Sequence, residues 1–221
     1  SSIDQLNTSR DIQDCHYILR AAWGIILARY AAKYPYLPTP KISRTFRSES
    51  NQNNEQRLGN SKVPWPYSLH NKTETSEGMY VAESWALDFW FDLRDGRTSY
   101  PKQAVNAVCD LVEDLGLFSG RAWGWDAAHV ALVEKHSDYM DIIDSGKSIP
   151  VSDKLRLALG WPLNQESELK GGDEDEYLIF NNEFDGASHT IKYPKGGHVL
   201  YNSQMNLGRT YVTIKDPREK E

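Results

Sequence analysis

The sequence predicts an α+β fold in which a buried N-terminal helix and a helical middle pack on a C-terminal antiparallel sheet. Three observations carry that expectation. Residues 11–33 place apolar side chains at helical spacing. Residues 80–93 alternate apolar and polar side chains, the pattern of a half-buried strand. Residues 177–215 break into short apolar runs (YLIFNNEF, SHTIKYP, GGHVLYN, GRTYVTIKD) separated by turn residues.

The first helix is expected over 11–33, with Asp11 and Asp14 in its first turn and Arg29 and Lys33 in its last, complementing the macrodipole. Its stripe runs Ile12, His16, Leu19, Trp23, Ile26, Tyr30, and apolar residues extend round much of the cylinder, as in a core helix. His16 in that stripe reads as a core histidine with a hydrogen-bond partner. Tyr34-Pro35 ends the helix. Residues 41–62 are polar and aperiodic, and read as a loop that serves as a lid or a partner-binding segment.

In the next strand Trp85, Leu87, Phe89, Phe91 and Leu93 face one way, and Asp88, Trp90 and Asp92 the other. That buried face needs partners, so the strand over 83–93 is expected to join the terminal sheet. An amphipathic helix follows over 101–115, capped by Ser99 and stopped by Gly116. Asp126 is expected to cap a helix over 127–144, and Ser152 a short one that ends at Gly160-Trp161-Pro162. Residues 164–176 are an acidic surface loop without the ligand spacing of a calcium site.

At 221 residues the chain is long enough for one domain with a substantial core, and 1–221 is read as a single domain. A net charge of −6 disfavours nucleic acid as a partner, and no apolar run is long enough to span a bilayer. Cys15 and Cys109 fall in helical patterns and read as reduced, buried thiols. The sequons at Asn7 and Asn71 leave the compartment open, and the oligomeric state is not encoded in any pattern here. No phosphate loop, GxSxG elbow, paired CxxC or GxGxxG unit occurs, which disfavours P-loop, serine-elbow, structural-zinc and dinucleotide chemistry.

Residues 19–30 (LRAAWGIILARY) resemble a helix of peptide-synthetase condensation domains, but the HHxxxDG motif of that family is absent. Pro194-x-Gly196-Gly197-His198-x-x-x-Asn202 resembles the second motif of cupin barrels, one residue short between Gly and His and without the upstream HxH and Glu. Neither family is assigned.

Two constellations remain. On the terminal strands His189 and Tyr193 share a face, as do His198 and Asn202, with Glu183 and Asp185 just upstream. They suit an acid–base enzyme acting on a small organic substrate by isomerisation, cyclisation or elimination, with no cofactor. His198 or His189 would be the base, and Glu183 or Asp185 would orient it or donate the proton. The same residues suit a two-His, one-carboxylate metal set, and hence an oxygenase. The second constellation is Arg121-Ala122-Trp123-Gly124-Trp125-Asp126 leading to His129, where Asp126 and His129 lie one helical turn apart and His136 two turns further on. Trp123 and Trp125 are read as substrate-binding walls, with Tyr193 and Asn202 lining the other side. A non-catalytic module that holds carbohydrate or peptide on its aromatic loops is the alternative.

Overall fold

A 3-10 turn at Ile12–Asp14 leads into α1 (Tyr17–Lys33). The expected helix over 11–33 therefore starts late, because the His16 backbone N–H donates to Ser84 O at 2.8 Å and draws that residue into an extended conformation. His16 is the N-cap instead of a stripe residue, its Nδ1 accepting from the Ile18 N–H at 3.1 Å. Ile18, Leu19, Ala22, Trp23, Ile26 and Tyr30 form the buried face of α1.

The stretch 41–62 is not a loop. It contains β1 (Pro40–Arg44) and α2 (Glu49–Arg57), with Ser48 as N-cap, Glu49 in the first turn and Arg57 in the last. α2 escapes an apolar-period reading because its one buried residue is polar: the Gln52 amide donates to Ser61 Oγ at 2.8 Å and to Val63 O at 2.7 Å.

β2 (Thr73–Ser76) and β3 (Met79–Ala82) form a hairpin, followed by β4 (Ala86–Asp92), β5 (Thr98–Ser99), α3 (Lys102–Asp114), β6 (Phe118–Ser119), β7 (His129–Ala131) and α4 (His136–Ser145). Pro101 stands at the start of α3 without a side-chain cap, and Ser99, the expected cap, pairs with Phe91 in the sheet. Gly116 ends α3 at φ +74, a left-handed position that favours glycine. The helix expected over 127–144 is a strand followed by a shorter helix, so Asp126 is not its cap and His129 and His136 do not share a helical face.

The central sheet is antiparallel in the order β1-β4-β7-β6, with β5 also on β4. The alternation expected in β4 is real: Leu87, Phe89 and Phe91 are buried, and Trp23 of α1 stacks on Phe89 at 6.0 Å. α1 and α3 cover that face, joined at their ends by Arg29 and Asp114 (3.5 Å). The opposite face presents Asp88 and Trp90. Among the described residues the ladder partners of this strand are β1, β5 and β7, and no terminal strand pairs with it.

The computed structural model describes residues 3–93, 98–161, 175–181, 188–194, 200–205 and 208–213, the last four spans as backbone. The chain divides into two units, Ser1–Ser152 and Asp153–Glu221. The second begins with α5 (Asp153–Leu159), which buries Leu155 and Leu159. Among the described residues it holds two antiparallel pairs, β8 (Asp175–Asn181) with β9 (Ser188–Pro194), and β10 (Leu200–Met205) with β11 (Gly208–Thr213). The fold is α+β. No helix among the described residues is long and apolar enough to cross a membrane.

Candidate metal centre

Asp88 is the polar interruption of an apolar strand, and β4 is an inner strand, so it has a neighbour on each side. Across one ladder its partner is Arg44 of β1, and across the other His129 of β7. Directly opposed residues share a face, so the ladders alone bring all three side chains to one side of the sheet. The fourth residue, His70, sits in a 3-10 turn (Leu69–Asn71) fixed by a capping box with Ser68. The His70 carbonyl accepts from the Arg47 N–H at 2.9 Å, tying the turn to the chain just beyond β1.

His70 Nε2, His129 Nδ1 and the Asp88 carboxylate converge in a triangle. Its edges are 3.2 Å (His70 to Asp88 Oδ1), 3.3 Å (His70 to His129) and 3.1 Å (His129 to Asp88 Oδ1). Both imidazoles are buried. His70 Nδ1 donates to the Thr45 carbonyl at 2.6 Å, which fixes the tautomer and leaves Nε2 as a bare lone pair aimed at the carboxylate. Burial pushes the His70 pKa down to about 4, so the ring is neutral at ordinary pH. Burial opposes ionisation of Asp88, but the positive or donating groups round it, among them the His129 ring and the Arg47 guanidinium, outweigh it and hold its pKa well below the usual carboxylate range. Arg47 Nη2 donates to the second oxygen, Oδ2, at 2.9 Å.

A lone pair and a carboxylate oxygen 3.2 Å apart repel unless something positive lies between them. A single His129 Nδ1–H shared between the two is one solution, and a cation held by all three atoms is the other. Donors about 2.0–2.1 Å from a tetrahedral zinc stand about 3.3 Å from each other, close to the observed edges. The set has the chemistry of a catalytic ion site: two imidazoles and one carboxylate, with the second Asp88 oxygen held by Arg47 and the second His70 nitrogen by the Thr45 carbonyl, while His129 Nε2 is buried with no hydrogen-bond partner among the described residues.

Around this triangle, Asp126 is half-buried, and its carboxyl is pushed up by burial and by the Asp88 charge, against His129 and Arg47. Trp123 lies on the His129 ring (5.1 Å, 29°) and Trp125 on Trp123 (5.2 Å, 9°), with Lys62 Nζ 5.5 Å from the outer indole. The segment closes tightly because residue 120 is glycine. A Cβ there would collide with the Asp126 carbonyl and stand 2.8 Å from His129 Cβ.

Of the residues singled out in the sequence, Trp123, Trp125, Asp126 and His129 meet at this centre. Trp123 is half-buried and stacked between His129 and Trp125, and Trp125 is 52% exposed. His189, Tyr193 and Asn202 lie on described strands, opposite Phe180, Glu176 and Tyr211. Among the described residues β9 pairs with β8 and β10 with β11. Glu183, Asp185 and His198 lie outside the described residues. Sequence reasoning missed His70 and the role of Asp88. The available signal was an acidic residue in the middle of an otherwise apolar strand.

No protein-family model, no characterised protein and no solved structure matches this chain. The centre therefore rests on its own geometry.

Proposed function

We propose that the chain is a metal-dependent hydrolase whose ion, of the zinc class, is held by His70 Nε2, His129 Nδ1 and Asp88 Oδ1. The observation that carries the reading is the triangle of 3.1–3.3 Å edges with the His70 lone pair directed into it by the Thr45 carbonyl. An ion bound there supplies Lewis acidity and an activated water at neutral pH. The chain's own residues do the rest. Asp88 is kept ionised by Arg47, Thr45 keeps His70 in the ligating tautomer, and Trp123 fixes the plane of the His129 ring. Asp126, beside Asp88 and His129 but outside the triangle, is the group placed to take the proton from water and return it to the leaving group.

The same donor set suits iron(II) and oxygen chemistry. The Asp126 carboxyl at its edge, outside the donor triangle, favours hydrolysis. The competing acid–base reading places the chemistry on His189 and His198 with Glu183 or Asp185, and needs no ion.

Elemental analysis of the full chain after dialysis separates them. About one zinc per chain, lost in Asp88→Asn and kept in His198→Ala, supports the hydrolase, and turnover of an ester or amide panel then follows the ion. Iron in that position with oxygen uptake turns the reading to an oxygenase. A chain that keeps no divalent ion and takes up none at micromolar concentration ends it and leaves the acid–base reading.

A further inference from the structure

The pairing of β1 with β4 contains a discontinuity at the centre. Pro40, Lys41 and Ile42 oppose Phe91, Trp90 and Phe89 in regular order, and then Arg44, not Ser43, opposes Asp88. In an unbroken ladder Ser43 would face Asp88, and Arg44 would face Leu87, whose side chain is fully buried against the core. The one-residue bulge therefore turns an arginine out of the apolar face and onto the face of the centre, the re-aiming that bulges perform beside functional sites.

Arg44 has nothing to hold there among the described residues. Among the described residues its guanidinium makes no hydrogen bond or ion pair, whereas Arg47 is committed to Asp88 at 2.9 Å and has its Nε buried without a partner. Burial first, and then the neighbouring Arg47 and Arg10 charges, disfavour the charged form of Arg44, with Glu55 and Asp88 opposing them. The Asp88 carboxylate is already engaged by Arg47 through one oxygen and lies against the His70 and His129 nitrogens through the other. With a divalent ion in the triangle, positive charge on this face exceeds what Asp88 and Asp126 neutralise. The natural complement is an anion on the ligand, and a guanidinium fork is built for carboxylate or phosphate oxygens.

From this juxtaposition we infer that Arg44 is a specificity-determining residue: it binds an anionic group, carboxylate or phosphate, carried by the substrate a few atoms from the bond that is cleaved. The inference rests on the hydrolase reading and names the substrate class of that same centre.

The test uses the full chain loaded with cobalt(II), whose visible absorption reports the ion, and three hydroxamates that differ only in their tails. Acetohydroxamate is neutral, succinic monohydroxamate ends in carboxylate and phosphonoacetohydroxamate in phosphonate. The expected result is that one anionic probe binds the wild type at least about tenfold more tightly than acetohydroxamate, as a charged hydrogen bond supplies. That preference falls to within about twofold in Arg44→Gln, persists in part in Arg44→Lys and is unchanged in Arg20→Gln. The tighter anionic probe identifies the group. Acetohydroxamate affinity in Arg44→Gln is the control for folding and ion binding, and it stays at the wild-type value. Equal binding of all three probes by the wild type, or a preference that survives Arg44→Gln, overturns the inference while leaving the hydrolase standing. A chain that develops no cobalt spectrum fails at the earlier reading and takes the inference with it.

Discussion

His129 stands directly across the β4–β7 ladder from Asp88, and its Nδ1 lies 3.1 Å from the Asp88 carboxylate. Backbone pairing sets that contact, so the centre shares its geometry with the most buried part of the sheet. It is accordingly stiff. Perturbations that reach it act through ion affinity and through stability together, and the experiments below separate the two.

Replacing Asp88 with Asn keeps the shape and removes the charge. Ion retention should fall by at least a hundredfold, more than the loss typical of outer-shell changes. The variant also leaves Arg47 without its carboxylate, a loss of about 3–5 kcal/mol for a buried pair. Chemical denaturation with and without zinc measures both. Wild-type zinc affinity in the variant would remove Asp88 from the ligand set.

Gly120→Ala tests the tight closure over the centre. The added methyl meets the Asp126 carbonyl and His129 Cβ, so the backbone must shift at a cost of about 1–3 kcal/mol. Zinc affinity should fall with stability. Gly24→Ala, where a Cβ meets nothing within 4 Å, should be neutral or stabilising. Equal melting temperatures for the two variants would refute the packing argument.

The two indoles should differ. Trp123→Ala removes the support on which His129 rests and both stacked contacts, each worth about 1 kcal/mol. It should weaken both stability and ion binding. Trp125→Ala loses one contact and a cation–π partner and should leave ion binding intact. If calorimetric zinc titrations of the two variants coincide, the stack does not position His129.

Away from the centre, Glu83 has its pKa raised to about 8 by burial and then by Glu74, while His16, 3.6 Å away, is lowered to about 4 by burial and then by Arg20. Between those values both side chains are neutral in the fold, and their contact is not an ion pair. The signs follow from proton counts. For Glu83 the folded state binds more protons than the unfolded one from about 4.5 to about 8, so its contribution is full below that window and is lost as pH rises through it. For His16 the unfolded state binds more protons from about 6.5 down to about 4, so stability is lost as pH falls. Glu83→Gln should flatten the decline of melting temperature between about pH 6.5 and 8 and steepen the loss below pH 6.5, where the Glu83 and His16 contributions otherwise offset each other. An unaltered slope in the variant would place the proton elsewhere.

The sequence was most legible where burial leaves a period. The alternation of Leu87, Phe89 and Phe91 predicted β4, and the spacing of Val105, Val108 and Val112 predicted α3, because each buries one apolar face. α2 was missed because Gln52 does for it what an apolar stripe does elsewhere. The stretch at Asp126–His129 was misread for a physical reason too. An Asp three residues before a His fits a helical first turn, and only the pairing of Asp88 with His129 reveals a strand. His70 left no local signal at all. Its partners are Thr45, Asp88 and His129, and a ligand set drawn from such separations is a tertiary property that no spacing rule contains.

Those separations, 18, 41 and 59 positions between the three donors, have a consequence for the life of the protein in a cell. The unfolded chain cannot offer the ion the same triangle, so an ion that binds there favours the native sheet by mass action, by about 2.7 kcal/mol at a hundred times its dissociation constant. Under starvation for that ion, the native population shrinks and degradation of the opened chain accelerates. Abundance would then track supply before activity does, and the half-life of the protein becomes a gauge of the free ion around it.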